Sequence, residues 1–314
     1  MKYTQLFTNK NKIMLIKTIA KVIAKKLEDW LETITDENLR KEVRKSLLVS
    51  GGSITSLLLN EKVNDYDVYI QDMDVLIKLA NYYCPGQVLD GRKKQEYLSQ
   101  SQDTVFNNDN ETDNLAQQRV RYLSLKDNQV KLNVASDGVR MQPAGPDEKY
   151  TVAFLSQNAI SLNDDVQIVL RFNGTPQEIH ETFDFIHATN YFTFADGLVT
   201  NVKALECVIT KELKYQGSHY PLTSIIRMKK FIRRNWKINA GEILKIMFQI
   251  SELDLKDVVV LEEQLIGVDI AYFSTLIEII RGVPPEKLCS SYLNELIDRV
   301  FNQYDDPEEN DSNY

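Results

Sequence analysis

Apolar residues recur at helical spacing near the start of the chain and again throughout its last third. Over residues 13–33 they fall three or four positions apart with lysines on the opposite face, which predicts an amphipathic helix. A second helix is predicted from Asp36 to Lys45. Beyond residue 196 helices are predicted at 199–213, 222–235, 240–250, 257–266, 269–281 and 286–303. The last third is therefore predicted to be mostly helical.

Between these regions the pattern changes to short apolar runs and to alternation, which is typical of strands. Leu47-Leu48-Val49 predicts a strand, and residues 64–70 alternate polar and apolar side chains. Further strands are predicted at 119–125, 129–134, 150–155, 159–162, 166–172 and 183–186. Asn163-Asp164-Asp165 predicts a hairpin turn. Helices are predicted at about 54–59 and 72–83, and the polar segment 98–115 predicts a long loop.

Composition excludes several classes of protein. The 314 residues are 43% hydrophobic and 26% charged, as in ordinary globular proteins. Three distant cysteines do not suit a disulfide framework, and with only three histidines they argue against a zinc site. The apolar run at residues 13–23 is interrupted by Lys17 and Lys21, so it is too short and too charged to span a membrane. These features predict a soluble cytoplasmic protein without membrane association.

Charge is distributed unevenly within a chain of net charge −8. Residues 203–245 hold ten Lys or Arg and three acidic residues, whereas residues 246–314 hold four and fifteen. Within the basic segment, Arg227 and Lys230 lie three apart and share one face of a predicted helix. This face predicts contacts with a triphosphate or a nucleic-acid backbone. The alternative is an ordinary solvated charged face.

Residues that carry chemistry concentrate after the strand at 47–49. Gly51 and Gly52 let backbone N–H groups approach an anion closely, and Ser53 adds a hydroxyl at the start of the following helix. Asp65 and Asp67 lie two apart on the next strand, so both carboxylates project from one face with a spacing of ~7 Å. Paired carboxylates suit Mg²⁺ (or Mn²⁺) bound together with substrate phosphates. The pattern therefore predicts nucleotidyl transfer from a nucleoside triphosphate (NTP).

Gly51-Gly52-Ser53, eleven intervening residues and Asp65-Tyr66-Asp67 resemble the signature of the DNA polymerase β-like nucleotidyltransferase superfamily. The wider layout is similar to nucleotidyltransferase-like proteins of large DNA phages and viruses, which implies the host cytoplasm. The resemblance implies an α+β fold with a nucleotidyltransferase core of mixed sheet and helices, followed by a mostly helical C-terminal domain. The expected divisions are 1–195 for the catalytic domain, 196–304 for the helical domain and 305–314 for an acidic tail, with the active site between the two domains.

The resemblance also implies a third carboxylate and a mechanism. Asp184, flanked by Phe183 and Phe185, is the residue expected in that role. Asp164 and Asp165 compete for it, although their turn context favours loop roles. Asp65 and Asp67 would bridge two Mg²⁺ ions, and Asp184 would hold the one that activates the acceptor hydroxyl. Gly52 and Ser53 would hold the outer phosphates, and pyrophosphate would leave.

The identity of the acceptor follows less directly from the sequence. The basic segment 203–245 favours the 3′-hydroxyl of RNA or another nucleic acid. A protein or small-molecule acceptor, as in AMP-transferring enzymes, is the first alternative. A non-catalytic nucleotide-binding module is the second, but it would have no need for three candidate carboxylates.

Overall fold

The chain is described by a computed structural model that places residues 16–100, 122, 125–135, 138–142, 145, 148–265, 271–284 and 287–303. It divides into two compact units. The first comprises Met1–His180 and Ala188–Asn201, and the second comprises Glu181–His187 and Val202–Tyr314. The predicted domain boundary after residue 195 stays a prediction.

Several predicted features fall wholly or partly on residues that the structure does not describe. The acidic tail at 305–314 lies outside the described residues. So does the predicted loop 98–115 from residue 101 onward, and so does the predicted strand 119–125 apart from Tyr122 and Leu125.

Local sequence signals explain the helices of the first unit. These helices are α1 (Ile16–Leu31), α2 (Glu37–Ser46), α3 (Gly52–Leu59), α4 (Met73–Tyr83), α5 (Lys94–Gln100) and α6 (Pro176–His180). Helix α1 buries Ile19, Ile23 and Leu27 at four-residue spacing, as its amphipathic pattern predicts. Helices α2 and α4 begin after Asp36 and Asp72, whose carboxylates accept hydrogen bonds from backbone N–H groups of the first turn.

An eight-stranded sheet forms the centre of the first unit. Its strands are β1 (Leu47–Ser50), β2 (Tyr66–Ile70), β5 (Val139–Arg140), β6 (Val152–Leu155), β7 (Ala159–Leu162), β8 (Val166–Val169), β9 (Tyr191–Thr193) and β10 (Gly197–Val199). Their spatial order is β10-β9-β1-β2-β8-β7-β6-β5. Strands β2 and β8 are parallel and the other neighbours are antiparallel, so the sheet is mixed. The predicted α+β fold is confirmed. A separate antiparallel pair consists of β3 (Val88–Asp90) and β4 (Val130–Leu132).

Alternation along β2 separates the core of the first unit from its candidate site. Tyr66, Val68 and Ile70 belong to the buried cluster that also contains the apolar face of α1. Asp67 therefore projects from the opposite face, because successive side chains of a strand alternate. The register pairs Asp67 with Gln167 of β8.

The second unit is mainly helical. Its elements are α7 (Val202–Thr210), β11 (Glu212–Leu213), α8 (Pro221–Arg233), β12 (Lys237–Ile238), α9 (Ala240–Ser251), α10 (Val258–Leu265), α11 (Ala271–Arg281) and α12 (Ser290–Gln303). The helices predicted from the 3.6-residue period are confirmed, with ends shifted by a few residues. In the part of the chain that the structure describes, no helix has the length and apolar character needed to cross a membrane.

One predicted strand is wrong. Residues 183–186 contribute only an isolated bridge between Phe185 and Tyr215, followed by a 3₁₀ turn at Ile186–Ala188. Apolar residues on both sides of Asp184 have the spacing of a strand, but they pack within the second unit instead of extending the sheet.

Candidate active site

The connection between β1 and α3 requires a glycine. Gly51 has φ +96° and ψ −145°, a conformation that residues with a Cβ rarely adopt. Its N–H donates to the carbonyl oxygen of Ala188 at 3.1 Å. This hydrogen bond joins the turn to the segment that precedes β9. The Gly-Gly-Ser segment thus forms the predicted connection from a strand into a helix.

The start of α3 offers hydrogen-bond donors that the described protein groups do not use. Gly51 occupies the N-cap position, and no side chain among the described residues caps the helix there. The Ser53 hydroxyl is buried and has no hydrogen-bond partner in the described part of the chain. Buried polar groups are normally satisfied, and free N–H groups at a helix start attract anions. The turn is therefore suited to bind a phosphate.

The Asp67 carboxylate of the predicted pair lies directly beside this turn. A Cβ built on Gly51 would lie 3.3 Å from Oδ2 of Asp67. Asp65 precedes β2 by one residue and is half-buried, as is Asp67. Burial raises the pKa of Asp65 above its ordinary value, and the negative charge of Asp165 raises it further. The glycine turn thus has the Asp67 carboxylate beside it, and Asp65 and Asp165 repel each other near the start of β2.

Asp165 is a member of this site that sequence reasoning assigned to a loop. Asp164 and Asp165 do form the turn between β7 and β8, with φ values of +58° and +59°. Because β8 runs parallel to β2, this turn lies beside the start of β2, where Tyr66 N–H donates to the Asp165 carbonyl oxygen at 2.8 Å. The parallel pairing is the signal that would have placed Asp165 near Asp65.

The donor set fits a divalent cation. Carboxylate oxygens are hard ligands, and a cation would offset both the burial of Asp65 and the charge of Asp165, which raise the pKa of Asp65. Among the residues that the structure describes, no group of three or more His, Cys, Asp or Glu side chains is arranged to hold a metal ion. The fit therefore depends on the two aspartates together with substrate phosphate oxygens, a common way of binding Mg²⁺.

A buried hydrogen-bond network supports the end of β1. The Ser50 hydroxyl donates to the carbonyl oxygen of Asn190 at 2.8 Å, and His180 Nε2 lies 2.9 Å from the same oxygen of Ser50. Burial lowers the pKa of His180 to about 4, so the ring is neutral at pH 7. Since the Ser50 proton is already donated, this geometry assigns the ring proton to Nε2. His180 acts here as a support for the turn, and no local sequence signal pointed to it.

The structure places Asp184 in the second unit. Its side chain is buried, and both carboxylate oxygens have partners there. Oδ1 accepts from the Ser218 hydroxyl at 2.7 Å, and Oδ2 accepts from Nη1 of Arg227 at 2.5 Å. Arg227 and Lys230 both lie on α8, one turn apart, as predicted. Two residues predicted to serve a common site, Asp184 and Arg227, thus form an ion pair. The role of Asp184 as a metal ligand stays a prediction.

We expect Asp184→Asn to lower the free energy of unfolding by about 2 kcal/mol, because it weakens a buried ion pair and leaves Arg227 without its carboxylate. Chemical denaturation followed by circular dichroism measures this. Asp298→Asn is the matched control, since Asp298 is exposed on α12 of the same unit. Its effect should stay within about 0.5 kcal/mol. Equal midpoints for the two variants would contradict a structural role for the ion pair.

These features define an α+β protein in which the glycine turn before α3 lies beside the Asp67 carboxylate. The model of the Gabija anti-defense 2 family matches residues 21–211. That is more than half of the 314 residues, and the chain belongs to the Gabija anti-defense 2 family. No curated protein sequence matches the chain significantly.

Similar solved structures include a Thermotoga maritima CCA-adding enzyme complexed with tRNA, which is 12% identical with a TM-score of 0.35. The match covers 72% of this chain and 45% of that one. A CCA-adding enzyme with CTP is 13% identical with a TM-score of 0.36, over 74% of this chain and 46% of that one. A tRNA-processing enzyme with CTP is 13% identical with a TM-score of 0.35, over 78% and 55%. The chain spans about half the length of these structures.

Proposed function

We propose that the chain is a metal-dependent nucleotidyltransferase that transfers a nucleoside monophosphate from an NTP to the 3′-hydroxyl of RNA or another nucleic acid. The observation that carries this proposal is the approach of the Asp67 carboxylate to Gly51, next to the buried Ser53 hydroxyl, which has no hydrogen-bond partner in the described part of the chain. This arrangement would bring triphosphate and cation together. The resemblance of the Gly51–Asp67 segment to nucleotidyltransferase signatures supports the same reaction.

Each group of the site has a role in this proposal. The backbone N–H of Gly52 and the hydroxyl of Ser53 bind the outer phosphates, and Gly51, whose N–H is bonded to Ala188, lets the backbone approach them closely. Asp65 and Asp67 hold Mg²⁺ or Mn²⁺, which, when bound, lowers the pKa of the acceptor hydroxyl and offsets phosphate charge. The acceptor oxygen forms a bond to the α-phosphorus, and the bond from that phosphorus to pyrophosphate breaks. The hydroxyl proton passes to solvent.

The third carboxylate has two candidates. Asp184 is the residue implied by the family resemblance, but its oxygens would have to leave Ser218 and Arg227 to reach a metal. Asp165 lies beside Asp65 within the first unit and already acts on its pKa. We therefore propose that Asp165 is the stronger candidate for the third role.

The basic helix α8 is proposed to contact phosphate groups. The Arg227 side chain is 44% exposed although one of its nitrogens is bound to Asp184. A guanidinium held in this way keeps further N–H donors for a phosphate or a nucleic-acid backbone. Lys230, one turn further along α8, adds a second cation on that helix.

The family description favours a second candidate acceptor. We propose that the chain acts against the Gabija defence, in the cytoplasm of a host cell and as a phage or viral product. A protein of that defence is then a candidate acceptor, and transfer of a nucleoside monophosphate to a protein side chain would use the same site.

A labelled-nucleotide experiment tests the proposed function. The purified chain is incubated with Mg²⁺ and each of the four labelled NTPs, together with total RNA, total protein or no acceptor. Label in RNA supports the first proposal. Label in protein supports the second candidate. Nucleotide binding without transfer of label to RNA or protein would show that the chain is a non-catalytic nucleotide-binding module.

Ser53→Ala is expected to raise the KM for the NTP at least about tenfold, because a hydrogen bond to a charged phosphate contributes about 1.5–3 kcal/mol. The free energy of unfolding should not fall, since the hydroxyl that is removed has no hydrogen-bond partner in the described structure. Ser56→Ala is the matched control, a second buried serine of α3. An unchanged KM in Ser53→Ala would contradict the assignment of phosphate to this turn.

A further inference from the structure

A row of side chains crosses the sheet from the candidate site to its far edge. The register pairs Asp67 with Gln167, Gln167 with Ser161, and Ser161 with Phe154. Phe154 in turn pairs with Arg140 of the edge strand β5. Directly paired residues project from the same face of a sheet. Gln167, Ser161, Phe154 and Arg140, which we call the transverse row, therefore share the face that carries Asp67.

Along the row, the face of the sheet that carries Asp67 is not buried in the core. Gln167, Ser161 and Phe154 are half-buried and Arg140 is exposed. On the opposite face, the neighbouring residues Ile168 and Ile160 are completely buried in the main core. The row thus remains partly accessible, whereas the other face of the sheet is covered at Ile160 of β7 and Ile168 of β8.

Contacts within the row order its side chains. Gln167 Nε2 donates to the Ser161 hydroxyl at 3.1 Å. The Arg140 guanidinium carbon lies 5.6 Å from the centre of the Phe154 ring, a cation–π distance. The row therefore presents, in order from Asp67, an amide, a hydroxyl, an aromatic ring and a cation.

The dimensions of the row suit an extended ligand. Neighbouring strands lie about 4.8 Å apart, so Phe154 is about 14 Å and Arg140 about 19 Å from Asp67 along the sheet. This length accommodates a few nucleotides of a single strand. An aromatic ring that stacks on a base, followed by a cation for a phosphate, is the combination used to bind single-stranded nucleic acids. A peptide that added to the sheet would bond to the backbone along its edge strand, whereas the row runs across the strands.

We infer that the transverse row binds the single-stranded 3′ end of a nucleic-acid acceptor. The terminal hydroxyl lies at Asp67, Gln167 and Ser161 hydrogen-bond the terminal nucleotide, a base stacks on Phe154, and a phosphate contacts Arg140. This inference rests on the proposed function, to which it adds the single-stranded form of the acceptor and the direction in which the acceptor leaves the site.

Binding of a labelled oligonucleotide tests the inference without any chemical step. The probe is a fluorescein-labelled single-stranded RNA of about twelve nucleotides, within the range of known single-strand sites. Anisotropy is measured without NTP or Mg²⁺ at several salt concentrations. Phe154→Leu should weaken binding at least about fivefold, which corresponds to the loss of one base stack. Arg140→Gln should reduce the log–log salt slope by about 0.7, the value for one phosphate contact on a single strand.

A second Arg–Phe pair of the same unit provides the control. The Arg44 guanidinium carbon lies 3.7 Å from the centre of the Phe194 ring, and neither residue belongs to the row. Arg44→Gln and Phe194→Leu should bind the probe as the unmodified chain does. Thermal denaturation checks that Phe154→Leu is folded. Arg140→Gln alters an exposed side chain, so it tests the row even if Phe154→Leu unfolds.

Three outcomes overturn the inference: no binding of the single strand by the unmodified chain, equal effects of the row and control variants, or equal affinity for a duplex of the same sequence. Its failure is distinguishable from failure of the proposed function. If Asp67→Asn abolishes transfer but Phe154→Leu binds the probe normally, the transverse row is not the acceptor site, and the proposed transfer reaction is still supported. If the row variants lose RNA binding while Asp67→Asn still transfers nucleotides, the transverse row is supported as an RNA-binding site, and the metal-dependent reaction at Asp67 is wrong.

Discussion

Asp65→Asn and Asp67→Asn are each expected to reduce nucleotidyl transfer at least about a thousandfold. An amide has nearly the volume of the carboxylate but lacks the charge that holds a divalent cation. Loss of metal stabilisation is worth several kcal/mol, and each 1.36 kcal/mol corresponds to a factor of ten in rate. The initial rate of labelled nucleotide incorporation at fixed Mg²⁺ measures the effect.

The same Asp65→Asn variant should be at least as stable as the unmodified chain. Because the pKa of Asp65 is raised in the folded chain, its ionised form costs stability at pH 7. The amide removes this cost, so the free energy of unfolding should rise at pH 7, and the gain should shrink as the pH falls towards the pKa of Asp65. Asp74→Asn is the control, since Asp74 is an exposed aspartate paired with Arg92. Near-normal turnover in either site variant would show that the cation assignment is wrong.

The incorporation assay also separates the two candidates for the third carboxylate. If Asp165→Asn loses transfer and Asp184→Asn retains it in a folded protein, the third role belongs to Asp165. The reverse result would return the role to Asp184, and Arg227 would then have to release the Asp184 carboxylate during the reaction.

Gly51→Ala is expected to lower the free energy of unfolding by about 1–3 kcal/mol, the usual cost of a residue forced into a sparsely populated backbone region. The added Cβ would also lie 3.3 Å from the Asp67 carboxylate, so that carboxylate must shift. Transfer should fall at least about a hundredfold, because small displacements in an active site can have effects of this size. Denaturation midpoints and initial rates measure the two effects.

Gly52→Ala is the matched control for the backbone argument. A Cβ built on Gly52 meets no neighbouring atom of the described structure within 4 Å. Gly52 also opens α3, where alanine is the better helix former. Its free energy of unfolding should therefore stay unchanged or rise. An equal loss of stability in the two alanine variants would contradict the strained geometry assigned to Gly51.

The sequence by itself determined the features that depend on neighbouring residues. The spacing of Ile19, Ile23 and Leu27 predicted α1 and its buried face, because a helix brings every third or fourth residue together. The alternation around Asp67 predicted β2 and the face that carries its carboxylate, because a strand has a period of two. The Gly51 turn was predictable for the same reason, since its conformation is a local property of glycine.

Only the tertiary structure decided which distant segments meet. Phe183 and Phe185 made Asp184 resemble a strand residue of the sheet, yet the structure places it in the second unit, bonded to Arg227. The composition of a short segment indicates that it is buried but not which partner covers it. Long-range partners depend on the packing of whole elements, which a local pattern does not encode.

The same reason explains why the sequence left Asp165 as a competitor in a turn and did not reveal the transverse row. The sequence identified the turn at 163–165 but not that β8 runs parallel to β2, the pairing that brings Asp165 beside Asp65. It likewise contained Phe154 and Arg140 without any sign that the register aligns them with Asp67. The sequence therefore determined the chemical groups and their local geometry. Strand pairing alone decided which of these groups share a site, because register is fixed by the sum of contacts across the sheet.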